Sequence, residues 1–296
     1  MHIQFLGTSA MVPTAERNHS SLLLFHEKDS ILFDCGEGTQ KQMKIAGIDI
    51  NRISRILISH WHGDHVLGLG GLLQTMASQS YDRTLKIYGP KGSKSYIENM
   101  LKSFAFDNKI DLEVNEITEG RFYENSDYYL EAAKLEHSVP TFAFAFVEQD
   151  RRKIDLDYIK KMGIPEGPLL GKLQQGEDIK FKGKTVKADD ATTLVKGKKF
   201  CYIADTLPCN SAVKLAKDSD LLVSESTHAS NIEEKAEEFK HLTARQAATI
   251  ASQANAKKLV LTHFSQRYKD TSELEEEAKL VFPNTTCAKD FMKVKF

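Results

Sequence analysis

The chain has 296 residues, 41% of them hydrophobic, with 40 Lys and Arg against 41 Asp and Glu and a formal net charge of −1. A hydrophobic share of that size can bury a core, which excludes wholesale disorder, and the near-neutral balance excludes a globally basic nucleic-acid binder. No run approaches the roughly 20 apolar residues of a membrane span, and the opening MHIQFLGTSA has no basic stretch followed by an apolar core, so neither a membrane partner nor a secretory signal is expected.

Taken in chain order, short apolar runs rich in β-branched and aromatic residues predict strands at 2–8, 21–25, 31–36, 55–59, 85–89, 142–148, 199–205, 220–226 and 258–264. Helix-length segments lie between several of them, at 37–46, 64–78 and 243–254, the last opening on Thr243 as an N-cap. A strand-rich start gives way to strand–helix units, and the second half repeats that order, which predicts layered α/β sheets covered by helices. Residues 150–197 break the rhythm. They are polar, rich in Gly and Lys, and include GIPEGPLLGKLQQG at 163–176; positions 151–199 hold 13 Lys and Arg against 7 Asp and Glu. A structureless interval this long inside a compact domain is expected to be a functional protrusion or a disordered linker. The four cysteines, Cys35, Cys201, Cys209 and Cys287, make no CxxC and read as free thiols of a reducing compartment, so the expected location is cytoplasmic.

The sharpest chemical signal is Ser59-His60-Trp61-His62-Gly63-Asp64-His65, which follows the predicted strand at 55–59 and therefore lies on a loop leaving a sheet edge. Three imidazoles and a carboxylate within six residues, in a chain with ten histidines, point to a metal site. Imidazole nitrogen mixed with carboxylate oxygen suits zinc, with manganese or iron as alternatives. Alternation lets His60 and His62 share one ion while Asp64 and His65, at the start of the next helix, reach a second. One cluster cannot close two metal shells. Further candidates follow other apolar runs: His137 in LEHS, Asp205 in IADT and His263 in LTHF, each placed to project from the same sheet rim.

This set of motifs resembles the metallo-β-lactamase superfamily. The resemblance implies an α/β fold, a four-layer αβ/βα sandwich formed by residues 1–296 as one domain. It also implies His60, His62 and His137 on one zinc, Asp64, His65 and His263 on a second, and Asp205 bridging them. Two such ions, about 3.5–4 Å apart, clamp an in-line displacement at phosphorus and activate a water.

Four further passages narrow the resemblance to the ribonuclease Z family, in its short form. They are FLGTSAMVPTAERNHSS at 5–21, LFDCGEGTQKQ at 32–42, the GIPEGPLLGKLQQG passage, and ESTH at 225–228 with HLTARQAA at 241–248. The resemblance implies a zinc-dependent endoribonuclease that removes the 3′ trailer from precursor tRNA, leaving a 3′-hydroxyl on the tRNA and a 5′-phosphate on the trailer. In it, Asp64 orients the attacking water and takes its proton, and His241, supported by Glu225, assists the departing group. Residues 150–197 become an inserted, flexible exosite arm that grips the tRNA through Gly163, Pro165, Gly167, Pro168 and Gly171, while Arg17 and Asn18 belong to a second RNA-binding loop. A homodimer is implied as well, each arm serving the partner's site. Protruding basic segments position RNA through its phosphates without reading bases. Ala15 departs from the family pattern, standing where a lysine associated with handling the CCA end is usual, and His241-Leu242-Thr243 stands for His-Ser-Thr. Trp61 reads as a packing aromatic at the rim. The rival readings are a phosphodiesterase for small diesters or cyclic nucleotides, which the arm passage argues against, and a non-catalytic tRNA-binding or metal-storing protein, which the complete ligand set argues against.

Overall fold

Two seven-stranded sheets organise the chain. The structure is a computed structural model and describes residues 1–105 and 109–296. Across the first sheet the strands run Lys293–Lys295, His2–Gly7, Ser21–His26, Asp29–Phe33, Ile53–Leu57, Leu85–Gly89 and Leu112–Glu116. Pairing is antiparallel from Lys293–Lys295 through Asp29–Phe33 and parallel beyond it. Parallel neighbours need long crossovers, and the helices Thr39–Ile45, Leu69–Ser78 and Ser93–Lys102 lie in them. The second sheet runs Thr285–Cys287, Leu259–Thr262, Leu221–Glu225, Lys199–Ile203, Phe142–Glu148, Tyr128–Lys134 and Gly120–Glu124, its first four strands parallel.

Side chains alternate across a strand, and here both faces are buried. Leu32 joins Leu6, Leu23, Ile56, Met43 and Leu72 in the core between the first sheet and its helices. The adjacent Phe33 points the other way and meets Phe200, Tyr202 and Phe144 of the second sheet at centroid distances of 5.3, 5.8 and 6.2 Å. Asn210–Ala216, Ala244–Gln253 and Ser272–Lys279 cover the far face of the second sheet. The order is helices, sheet, sheet, helices, so the expected four layers hold. Double burial also explains why runs such as LLLF at 22–25 and ILI at 56–58 are continuously apolar instead of alternating. Among the described residues no helix is long and apolar enough to cross a membrane.

Local chemistry sets the ends of the elements. Thr243 closes a capping box: its hydroxyl accepts from the Gln246 N–H while the Gln246 side chain accepts from the Thr243 N–H. The single helix predicted over 64–78 is broken into Gly63–Val66 and Leu69–Ser78. Gly68 sits at the break, where its N–H donates to the Cys35 carbonyl at 2.9 Å and an added Cβ would lie 2.1 Å from the Gly36 carbonyl oxygen. The loop after Asp29–Phe33 crosses too closely for a side chain there.

Glu124–Tyr129 and Val147–Lys198 form a second compact unit, distinct from the sandwich. It corrects the expectation of a structureless interval. Helices Leu156–Met162 and Pro168–Gln174, the strand pair Arg151–Ile154 with Thr192–Val195, and the hairpin Ile179–Phe181 with Lys184–Val186 enclose a small core of Ile159, Ile164, Leu173, Ile179, Val186, Ala188 and Ala191. Gly163 ends the first helix in the left-handed region at φ +65°, and Gly167 leads into Pro168 at the first turn of the second. Those apolar residues are too widely spaced in sequence to show a period.

Phe33 is fully buried between the sheets. Phe33→Ala is expected to lower unfolding stability by about 3–5 kcal/mol, the usual cost of deleting a buried aromatic, read as a shift of the urea midpoint at unchanged slope.

Candidate metal centre and active site

Ligand-type side chains converge at the carboxyl-terminal ends of the strands, where the backbone leaves each sheet. His60 follows Ile53–Leu57, Asp205 follows Lys199–Ile203, Glu225 ends Leu221–Glu225, and His263 follows Leu259–Thr262. The ends of parallel strands in open α/β sheets are where such folds carry their sites. Two four-residue donor sets result, His60, His62, His137 and Asp205, and Asp64, His65, Asp205 and His263, with a smaller third group of Glu225, His241 and His263, each with its ligand atoms within 4.8 Å of one another. Asp205 belongs to both four-residue sets. Its Oδ2 faces His60 Nε2 at 3.7 Å and His137 Nε2 at 4.0 Å, while its Oδ1 faces His263 Nε2 at 3.3 Å and His65 Nε2 at 3.5 Å.

The hydrogen bonds behind the rings decide which nitrogen each presents. His65 Nδ1 lies 2.7 Å from Asp34 Oδ2, His263 Nδ1 2.9 Å from Thr227 Oγ1, His137 Nδ1 2.9 Å from the Lys240 carbonyl, and His60 Nδ1 3.0 Å from Ser59 Oγ. With Nδ1 engaged, Nε2 is left facing the centre in all four. His62 is turned the other way, its Nδ1 only 3.0 Å from His60 Nε2 and 3.2 Å from His137 Nε2. Asp34 anchors this support. Its Oδ2 also accepts from Ser59 Oγ at 2.8 Å and Tyr202 Oη at 2.9 Å, and its Oδ1 from the Ser59 N–H at 2.7 Å.

Electrostatics fit divalent cations. Ring nitrogens crowded to 3.0–3.2 Å leave lone pairs facing one another. Oδ1 of both Asp64 and Asp205 is buried and accepts no hydrogen bond, a costly state unless a cation fills the gap. Burial holds His60, His62 and His137 below the ordinary imidazole pKa, so this trio is neutral and ligand-competent. For Asp64, burial is outweighed by His65 and His263, and for Asp205 by His263, His65 and His241, so both stay ionised.

Beside the donor sets stands His241. Glu225 Oε1 accepts from the Thr206 N–H at 2.8 Å and the Leu242 N–H at 3.1 Å and lies 3.3 Å from His241 Nδ1, while Oε2 accepts from Thr227 Oγ1 at 2.7 Å. Burial disfavours a charged His241, but the Glu225 and Asp205 carboxylates more than offset that, and its pKa rises to about 9. Cations held by Asp205 would cancel part of that pull. Asp64, His62, His137, Asp205, His241 and His263 all line one cavity of about 530 Å³.

The structure brings together every metal-ligand candidate of the sequence analysis, with His241 and Glu225 beside them. Arg17 and Asn18, expected to meet RNA, make internal contacts. Arg17 is buried, its guanidinium donating to the Tyr268 carbonyl at 2.6 Å and the Ser265 carbonyl at 3.4 Å, and the Asn18 side chain donates to the Glu37 carbonyl at 2.6 Å. They brace the loop that carries them. Gly163, Pro165, Gly167 and Pro168 are exposed, Gly171 half-buried, all on the second unit. Trp61 stacks on Tyr96 at 4.9 Å and donates to Ser93 Oγ at 2.8 Å, a packing role as expected. Sequence reasoning missed Asp34, Thr227 and Tyr202. An acid directly after an apolar strand, the pattern that singled out Asp205, also marks Asp34.

Fold and donor sets together define a metallo-β-lactamase-fold hydrolase. The metallo-β-lactamase fold protein YhfI of Bacillus subtilis superposes with a TM-score of 0.72 at 19% identity, over 99% of this chain and 98% of that one. A family model described as Anti-Pycsar protein Apyc1 matches residues 1–286. Ribonuclease Z of Methanothermobacter thermautotrophicus is 41% identical over 296 residues, spanning 100% of this chain and 96% of its own. The human short-form tRNase Z is 30% identical with a TM-score of 0.74, over 100% of this chain and 99% of that one. The chain belongs to the ribonuclease Z family, and the same residues satisfy the Apyc1 model.

Asp34→Asn is expected to weaken divalent-metal binding about 10- to 100-fold, as loss of a ligand-orienting carboxylate does, without changing the far-UV circular dichroism. Chelator competition on the purified protein measures it; unchanged affinity would remove Asp34 from the support of His65.

Proposed function

We propose that the protein is a tRNA 3′-processing endoribonuclease that hydrolyses the phosphodiester joining the tRNA to its 3′ trailer, using two zinc ions per chain. The observation that carries this reading is the pair of donor sets sharing Asp205 in a chain 41% identical to a ribonuclease Z. His60, His62, His137 and Asp205 hold one cation, and Asp64, His65, His263 and Asp205 the other. Bound there, the cations supply electrophilic polarisation of the phosphoryl group and of the attacking water.

The chain's own residues do the rest. Asp64 Oδ1, buried and without a donor, orients the attacking water and accepts its proton. The bond from phosphorus to the tRNA 3′-oxygen breaks, so the phosphate stays with the trailer and the 3′-oxygen needs a proton. His241 supplies that proton or stabilises the phosphoryl oxygens, because Glu225 engages Nδ1 and leaves Nε2 toward the cavity. Lys160, Lys161 and Lys172 are exposed around the Gly163–Gly171 passage and supply phosphate contacts from the second unit, whose exposed glycines allow close approach to an RNA backbone. The four free cysteines suit a reducing, cytoplasmic setting. Homodimerisation, with each arm serving the partner's site, completes the reading.

A second reading, hydrolysis of small diesters, draws support from a cavity large enough for a mononucleotide. The folded, lysine-rich second unit favours RNA, because a small diester needs no distant grip. Gly197 N–H donates to Asp150 Oδ1 at 2.9 Å, so the ends of 150–197 lie together and a short linker can replace the segment. That deletion is expected to abolish pre-tRNA cleavage while sparing hydrolysis of a small chromogenic phosphodiester; equal loss of both would count against an RNA-gripping role for the segment. Asp64→Ala is expected to lower turnover by several orders of magnitude while pre-tRNA binding, measured by filter retention, stays within a few-fold.

A further inference from the structure

Much of the catalytic cavity is not built for phosphate. Of nine large hydrophobic residues exposed among the described residues, three line it: Met11 at 57%, Val12 at 42% and Phe239 at 52% relative exposure. A solvated apolar wall against a charged centre is unfavourable unless something apolar covers it. The loop carrying Met11 and Val12 is held rigidly. Ser9 Oγ donates to the Val12 carbonyl at 2.8 Å, the Ala10 N–H to the Phe264 carbonyl at 3.0 Å, and the Asn18 N–H to Asp290 Oδ2 at 2.8 Å. Phe239 ends the helix Glu233–Phe239, and the next residue, Lys240, takes a left-handed conformation at φ +56° and gives its carbonyl to His137. The backbone that carries Phe239 is thus held one residue from a brace of a metal ligand. Lys235 Nζ lies 5.9 Å from the Phe239 ring centre, and Lys235 and Lys240 line the cavity together with Glu238. The acid on that wall disfavours a phosphate there and leaves the place to an uncharged flat group, with the lysines ready for the flanking phosphates.

We propose that Phe239, with Met11 and Val12 lining the same cavity, forms a nucleobase clamp that stacks one of the two bases flanking the scissile phosphate. The inference rests on the RNA reading given above. Every base has a π face, so such a clamp is sequence-tolerant, and it converts stacking into alignment of the scissile bond with Asp64 and His241. Rigid walls make it effective, since little order is lost on binding.

The test is a cycle of variants and substrates. Wild-type and Phe239→Ala proteins are compared on a pre-tRNA and on versions carrying an abasic residue on the 5′ or on the 3′ side of the cut. With the intact substrate, Phe239→Ala should lower kcat/KM roughly 10-fold, within the range of one base–aromatic stack. At one of the two abasic positions the wild type should fall by a similar factor and the variant should lose nothing more. Phe239→Trp should restore cleavage, and zinc content should match the wild type in all three proteins. A variant as active as the wild type on the intact substrate, or one that loses the same factor on every substrate, overturns the clamp. Failure of the wild type to cut any pre-tRNA would instead overturn the RNA reading, and the two failures are therefore separate.

Discussion

A single buried carboxylate, Asp205, is the constraint around which the site is built. Its two oxygens face different histidine sets, and water reaches almost none of it. Desolvating a carboxylate costs several kcal/mol unless charge or hydrogen bonds answer it. The chain answers with imidazoles held at fixed angles, and the strand ends that present them are rigid because both faces of both sheets are packed. Backbone strain collects at the same place. Asp34, Lys240 and His263 all adopt positive φ, at +55°, +56° and +62°, a conformation costing a non-glycine residue about 1–2 kcal/mol. Such strain persists only where the surroundings over-determine it. Phe33, locked between the sheets, stands immediately before Asp34, and Phe264, fully buried, immediately after His263.

Behind the ligands lies a second ring of groups without which the first would not point inward. Asp34 holds His65 and Ser59, Thr227 holds His263, and the Lys240 carbonyl holds His137. Glu225 joins this ring to the chemistry. The carboxylate that faces His241 also accepts from Thr227, whose hydroxyl braces His263. The positions of His263 and His241 therefore depend on one side chain, and a change at Glu225 acts on both.

The second unit answers a different physical problem. A segment that offers glycine, proline and lysine to solvent has little apolar surface with which to hold itself together. Its small core of isoleucine, leucine, valine and alanine supplies that, so the exposed Gly163, Pro165, Gly167 and Pro168 are displayed on a folded support instead of a coil.

The strands at 85–89 and 142–148 coincide with those read from sequence, and the donor motif at 60–65 was plain. Buried parallel strands are continuous apolar runs, and three imidazoles beside a carboxylate are conspicuous in any chain. The edge strands Leu112–Glu116 and Gly120–Glu124 were not legible, because they are partly exposed and carry charge. Sequence by itself determined the layered α/β class, the ligand residue types and the unusual composition of 150–197, since hydrophobic period and residue chemistry are local properties. Which oxygen of Asp205 serves which histidines, that Asp34 and Thr227 set the ring orientations, that Arg17 braces a loop, and that the arm has its own core were decided only by tertiary structure. Each depends on atoms brought within a few ångströms from positions far apart in the chain, and no local pattern encodes such a distance.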